Sequence, residues 1–562
     1  MPARESAGAY PRPATDALLR HVEAERTRHG IPGLALAVAD RTGVLHARGF
    51  GRTGAHDGAE DVSAATLFRL GSVTKPLTAT AVLRLRDRGL MDLDRPVVDV
   101  LPGLADCGYP AVEHITARML LGHTAGLPHD FFPTGGGDPA DLPGMVIRLL
   151  RTYGPVAPPG TAYSYSNPGY DLAGAVAATV AGTPFPRLVD ELVLRPLGMV
   201  STTFDPAAAM TRPLALGHRY GLDGTPVVER RVADNVAHHP SGFALSNALD
   251  MGRFVAAHLG AATGPADRLL TEGSRRLMGT GHARLFLPDD TESTLGFHRW
   301  RWQGHPVLGH TGDICGYGAW LAMLPDRGVG AVLLANAIPP GFDGMSLVHR
   351  VLAEYVPGAA RAERPGPGSG RGAGEERADA HPRGCAGVFV GQAVGLVRLT
   401  EGADGLTAEI NGRHLRVRPA GSGRFEGSGV DDGPPVSLGF PGAGPGRAAH
   451  VMVDGELCER FDESLLATPE PADLARYAGT YARLDEVTVF VRDGQLYLYS
   501  QEDLREFRCL PLTRTMFAFD GGVIEFMVDE TGEARAIRAR NAVTLPRTAA
   551  RPGTGATAGA GR

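Results

Sequence analysis

The chain has 562 residues, 43% of them apolar, and its 56 basic and 62 acidic side chains leave a net charge of −6. That length implies more than one domain, because domains run to about 100–200 residues. The mild acidity excludes a global basic field for nucleic acid or an anionic membrane. Five cysteines (Cys107, Cys315, Cys385, Cys458 and Cys509) are odd in number and nowhere spaced as CxxC, which argues against a disulfide scaffold or a zinc cluster. No run approaches the roughly 20 apolar residues of a membrane span, and Met1 to Gly30 carries no secretory apolar core. The expectation is a cytoplasmic protein without metal or cofactor.

Along the chain, residues 15–29 carry Leu18, Leu19 and Val22 at helical spacing and stop at Gly30. Gly33 to Ala39 and Val44 to Arg48 then read as two strands joined by the turn Asp40-Arg-Thr-Gly43. Lys75 to Arg88 places Leu77, Ala81, Val82 and Leu85 on one face, a helix that tolerates Pro76 only in its first turn. Further helices are expected at 141–152, 168–181 and 186–195 within a stretch of Gly- and Pro-rich loops. Strands follow at His305 to Thr311, Gly318 to Leu324 and Val329 to Asn336, then a helix from Met345 to Val356. Strands at both ends with helices between them suggest one α+β domain over 1–356, its antiparallel sheet joining N- and C-terminal strands.

Residues 357–384 are nearly all Gly, Pro, Ala, Arg, Glu and Asp and can form no packed core, so they read as a linker. Beyond it lies a repeat. Cys385-Ala-Gly-Val-Phe389 echoes Tyr477-Ala-Gly-Thr-Tyr481, Pro419 echoes Pro511 and Phe425 echoes Phe517, all at an offset of 92; Asp404-Gly405 matches Asp493-Gly494 at 89. Two all-β modules, 385–468 and 471–547, each a small closed barrel or sandwich, fit this pattern. Residues 548–562 read as a disordered tail.

One residue count bears on chemistry. Of the 56 Lys and Arg residues, Lys75 is the only lysine, and it stands three positions after Ser72 in Leu70-Gly71-Ser72-Val73-Thr74-Lys75. Arginine keeps its proton at any ordinary pH, whereas a partly buried lysine can be neutral near pH 7. A neutral amine beside a hydroxyl is what a serine nucleophile needs to lose its proton. On a helix the two residues are neighbours on one face, and Ser72 at the helix N-terminus would meet N–H groups that favour an oxyanion.

Tyr165-Ser166-Asn167 begins 93 residues after Ser72, and His310-Thr311-Gly312 begins 145 further on. Together with Leu120-Leu-Gly-His-Thr-Ala-Gly-Leu-Pro128 and Pro240-Ser-Gly-Phe-Ala-Leu-Ser246, these segments resemble the penicillin-recognising serine enzymes. That family comprises class C β-lactamases, DD-peptidases and their D-aminopeptidase and esterase relatives, and the resemblance covers roughly residues 15–356. It implies the β-lactamase/transpeptidase-like fold and an acyl-enzyme on Ser72. Lys75 would carry the proton, Tyr165 would pass it to the leaving group once its pKa is lowered by Lys75 and neighbours, and Asn167 would hold Lys75 and substrate. The oxyanion would meet the N–H groups of Ser72 and Asp313, with Thr311 and Gly312 lining the substrate. His310 stands where β-lactamases and DD-peptidases have a lysine, which puts β-lactams and carboxylate-terminated substrates in doubt.

Other groups read more blandly. His123 is taken as a turn residue, His238-His239 as a chance pair, and Cys315 as an inert thiol near the site. The loop Phe131 to Gly137 is either a pocket rim or ordinary surface. The absence of Gly-x-Ser-x-Gly argues against an α/β-hydrolase elbow.

The first functional expectation is therefore a serine hydrolase acting on amides or esters of D-amino-acid-containing peptides. The second is a penicillin-binding-protein-type thioesterase that releases or macrocyclises a nonribosomal peptide, with a carrier-bound peptide as partner. Such enzymes pair this domain with a lipocalin-like β-domain. The third is a noncatalytic binding protein on the same fold. If the amine must shed its proton, Lys75→Arg will be inactive in any turnover assay; a fully active Lys75→Arg enzyme would refute the neutral-amine argument.

Overall fold

The computed structural model describes residues 15–129, 134–220, 224–230, 234–260, 269–356, 384–403, 405–429, 433–442, 447–482, 486–500, 505–539 and 544–549. The expected linker 357–384 lies outside them but for Gly384, and the expected tail lies outside them but for Thr548 and Ala549, which belong to the last strand.

Helix α1 (Thr15–Arg28) leads into the hairpin β1 (Gly33–Asp40) and β2 (Gly43–Gly51). Helix α2 (Thr74–Asp87) follows, then α3 (Asn167–Ala181) and α4 (Ala248–Leu259). The remaining sheet strands are β3 (Ala283–Arg284), β4 (Glu292–Ser293), β5 (His298–Trp302), β6 (His305–Ile314), β7 (Tyr317–Leu324) and β8 (Val329–Ala335). Helix α5 (Gly344–Ala353) closes the domain. These eight strands form one antiparallel sheet in the order β2-β1-β8-β7-β6-β5-β4-β3. Strand β1 thus pairs with β8, and N- and C-terminal strands share one sheet, as the sequence pattern implies.

The central strands are apolar without alternation because both faces are covered. On β1, Ala35, Ala37 and Ala39 face the larger core with α2 and α4, while Leu34, Leu36 and Val38 face a second core with α1 and α5. The small side chains let α4 lie close, since a Cβ at Gly252 would already be 3.0 Å from Val44 and 3.3 Å from Ala37.

Helix α2 differs from the expected one-sided stripe. Every residue from Thr74 through Leu83 is buried, so the helix runs through the core rather than along it. Its threonines are satisfied by backbone: the Thr78 hydroxyl donates to the Pro240 carbonyl at 2.7 Å and the Thr80 hydroxyl to the Pro76 carbonyl at 2.7 Å.

The C-terminal half forms two closed eight-stranded barrels. The first is shut by pairing Gly387–Gly391 with Glu456–Arg460, the second by pairing Gly479–Ala482 with Thr544–Ala549. The repeat maps onto equivalent rungs: Pro419 pairs with Phe425 in one barrel and Pro511 with Phe517 in the other. Asp493 and Gly494 both have positive φ, as a tight hairpin turn with right-handed strand twist requires. Val388, Val390, Leu396 and Phe461 of the first barrel pack on Leu512, Ala518 and Val523 of the second. Among the described residues no single helix is long and apolar enough to cross a membrane.

Candidate active site

Ser72 lies in a single 3-10 turn, Gly71–Val73, that runs directly into α2. Gly71 has φ +50°, and a Cβ there would come within 2.7 Å of the Asp313 amide nitrogen. Opposite it, a Cβ at Gly312 would strike the Leu70 carbonyl and stand 2.9 Å from the Ser72 nitrogen. The turn and β6 can approach this closely only because both contact positions are glycine. The approach also needs a free strand edge. Strand β5 pairs with β6 only as far as Gly309, so His310–Ile314 is paired to β7 on one side and turns its other edge to the serine turn. Thr311 and Asp313 present exposed side chains there, while His310 and Gly312 are buried.

Lys75 is fully buried one helical turn below. Its Nζ stands 3.0 Å from Ser72 Oγ, 2.6 Å from Asn167 Oδ1 and 2.9 Å from the Ser241 carbonyl oxygen. Burial lowers its pKa from 10.5 to about 7, against the opposing pull of the Asp171 carboxylate. The geometry suits a neutral amine. Two N–H bonds can be donated to the two carbonyl-type oxygens, which leaves the lone pair facing the serine hydroxyl.

Tyr165 closes the other side. Its ring lies 4.7 Å from Lys75 Nζ and its phenol hydrogen-bonds to Ser72. The expected lowering of its pKa is not what the structure has: burial outweighs the Ser72 bond and pushes the phenol well above its usual range. Tyr165 is held as a neutral phenol, able to give a proton, and Lys75 is the group poised to take one. Residues 161–165 form no strand, and the Tyr163 hydroxyl lies 3.1 Å from His298 Nε2. Ser166 caps α3 by accepting from the Gly169 amide, which sets Asn167 as the first helical residue beneath Lys75.

His310 stacks on His298 at 5.2 Å and 22° and directs Nδ1 to the Thr311 carbonyl at 2.6 Å. Burial, His298 and Lys75 keep it far below the usual imidazole range, so no cation stands where a lysine would attract carboxylate. His123, with φ +59°, stacks on Tyr165 at 4.5 Å and accepts from the Ser166 amide at 3.0 Å through Nδ1. It orients the tyrosine, in keeping with a turn residue.

The structure brings Ser72, Lys75, Tyr165, Asn167, His310, Thr311, Gly312 and Asp313 into one place. It adds three groups that the sequence did not single out: the Ser241 carbonyl, His298 and Asp171. The two members of His238-His239 go to different carboxylates: His238 Nδ1 lies 2.5 Å from Asp171 Oδ2, and His239 Nε2 lies 2.9 Å from Asp234 Oδ1. Cys315 is half-buried at the β6–β7 turn, against Phe243 and Ile314. Of the loop 131–137, residues 131–133 lie outside the described part, and Thr134–Gly136 pairs with Asp234–Asn235.

Comparison with known proteins agrees with this architecture. The family model described as Beta-lactamase matches residues 18–354, and the chain belongs to that family. It is 33% identical over 328 residues to penicillin-binding protein 4 of Amycolatopsis lactamdurans, covering 56% of this chain and 83% of that one. It is 27% identical over 342 residues to the D-alanyl-D-alanine-carboxypeptidase/endopeptidase AmpH of Escherichia coli K12, covering 58% of this chain and 85% of that one. Among solved structures, the crystal structure of SurE aligns with a TM-score of 0.63 at 25% identity, covering 79% of this chain and 99% of the other. That span exceeds the family match, so the likeness reaches into the barrels.

The glycine contact is testable. Gly312→Ala must push β6 off the serine turn, and turnover is expected to fall at least about 100-fold, as for loss of an oxyanion donor, with the fold retained by circular dichroism. Activity within threefold of the parent would refute the close-approach argument.

Proposed function

We propose that the protein is a serine hydrolase or acyl transferase that works through an acyl-Ser72 intermediate on amides or esters of D-amino-acid-containing peptides. The observation that carries this reading is the Lys75 amine, 3.0 Å from Ser72 Oγ with its pKa brought to about 7. Lys75 takes the Ser72 proton as Oγ attacks the carbonyl carbon. The oxyanion is met by the N–H groups of Ser72 and Asp313, on the two segments the glycine contact holds together. Tyr165, kept protonated, gives its proton to the leaving group and recovers one from Lys75. Water or an amine then takes the acyl group by the reverse path.

The neutral His310 disfavours substrates that end in a carboxylate at this edge. Relatives with peptide activity, such as AmpH by its name, support the D-peptide class. None of the five cysteines, all among the described residues, forms a disulfide, which fits a reducing, cytoplasmic setting. The thioesterase reading keeps the same chemistry and a carrier-bound peptide. One observation favours it: Met452 and Leu457 of the first barrel pack with Tyr163 and Tyr165, walling the side where an acceptor must enter against water. A purely binding role leaves the neutralised Lys75 without a use.

A D-amino-acid amide, a synthetic peptidyl thioester and a chromogenic cephalosporin offered side by side would decide the class. Turnover of the amide, a mass adduct on Ser72 that Ser72→Ala abolishes, and kcat/KM rising with pH through about 7 as Lys75 loses its proton are the expected results. Cyclic product from the thioester with little amide turnover would overturn the hydrolase in favour of the cyclase.

A further inference from the structure

The first barrel does more than lie beside the catalytic domain. The His450 ring donates from Nε2 to the Val156 carbonyl at 3.1 Å, and the His129 amide donates to Gln392 Oε1 at 2.9 Å. Between these contacts the tight turn Asp454-Gly455 brings the start of the last barrel strand against the tyrosines: Leu457 packs in one apolar cluster with Tyr163 and Tyr165, and Gly455 sits against Leu287.

Next to Leu457 is Glu456. It borders a small cavity between the two domains, with His129, Ser164, Gln392, Leu457 and Glu459 on its walls. Ser164 stands between Tyr163 and Tyr165 in the chain, and the His129 ring lies 5.1 Å from that of Tyr165. The Glu456 carboxylate makes no hydrogen bond or ion pair with any described residue, and both tyrosines feel its charge. Among the described residues on its walls there is no lysine or arginine, and burial and Lys75 hold the His129 ring at about 4 and hence uncharged at neutral pH.

Burial without a counter-ion makes the charged carboxylate costly, and an ammonium ligand in the cavity offsets that cost. The cavity's size limits that ligand. Its volume is about 20 Å³, space for one water. An –NH3+ group is close to water in size. The location limits it again, because Tyr165 marks the side on which the leaving group departs and the acceptor arrives.

We propose that Glu456, contributed by the first barrel, is the docking group for the ammonium of an amine acyl acceptor. The inference rests on the acyl-Ser72 reading and names its acceptor class. The acceptor arrives as R–NH3+ and passes one proton to the Glu456 carboxylate. The freed amine nitrogen forms a C–N bond with the acyl carbon. Tyr165 accepts the second N–H proton as it passes its own to Lys75, Lys75 returns a proton to Ser72 Oγ, and the ester C–O bond breaks. The products are an amide, the Ser72 hydroxyl and a Glu456 carboxylic acid that returns its proton to solvent. Burial raises the Glu456 carboxyl to about 7, which suits it to both holding and taking that proton.

Binding tests the site apart from the chemistry. In full-length Ser72→Ala protein, glycinamide should bind by calorimetry at least tenfold more tightly than its uncharged counterpart acetamide. Adding Glu456→Gln should raise the glycinamide Kd at least tenfold, while Glu456→Asp keeps most of the preference. Equal binding of the two probes, or a Glu456→Gln Kd within twofold of the parent, would overturn the proposal. Should Glu456→Gln fail to fold, the parent's preference and its retention in Glu456→Asp decide the matter. With Ser72 intact, the ratio of glycinamide aminolysis to hydrolysis should fall at least tenfold in Glu456→Gln. Failure of any acyl-enzyme to form would overturn the proposed function and leave the binding result standing.

Discussion

Lys75 is enclosed on every side, and none of the three oxygens around its Nζ belongs to a carboxylate. A charged ammonium could be held there by a counter-ion, but the carboxylate whose charge favours it, Asp171, is engaged with His238 at 2.5 Å. Bringing the amine from 10.5 to about 7 corresponds to roughly 5 kcal/mol in favour of the neutral form. Much of the site follows from that one desolvation. Tyr165 and His310 share the same dry surroundings, so the phenol keeps its proton and the imidazole stays uncharged. The burial that makes lysine a base thus makes tyrosine an acid.

The fold supplies this enclosure from distant parts of the chain. Helix α2 runs through the core, α3 brings Asn167 beneath it, and the segment before α4 offers the Ser241 carbonyl. Strand β6 outruns β5 by the few residues needed to face the serine turn. The first barrel then covers the tyrosine side, braced by the second through Leu512, Ala518 and Val523. Remote packing is spent here on positioning, which is where binding energy becomes rate.

Local patterns carried a good part of this into the sequence. The hairpin β1–β2, the helix after Ser72 and strands β6 to β8 are legible because turn residues and periodicity are local signals. The barrel repeat is legible because the pairs Pro419–Phe425 and Pro511–Phe517 occupy the same rung. The solitary lysine was legible as composition alone. What stayed hidden is non-local. The Ser241 contact is made by backbone, which no side-chain type announces. His298 sits on a five-residue strand whose role depends on where its neighbour β6 continues. The Tyr165 phenol moves opposite to expectation because burial sums over many distant atoms, whereas the Ser72 bond is one local contact. The partner of His238, Asp171, is 67 residues away.

Because Lys75 is the only lysine in 562 residues, lysine labelled with 13C at Cε would give a single side-chain resonance in the intact protein. Its titration reads the central claim directly. The account predicts a midpoint near 7, with the amine charged below it and neutral above. A midpoint near 10.5, where an ordinary lysine titrates, would contradict the account.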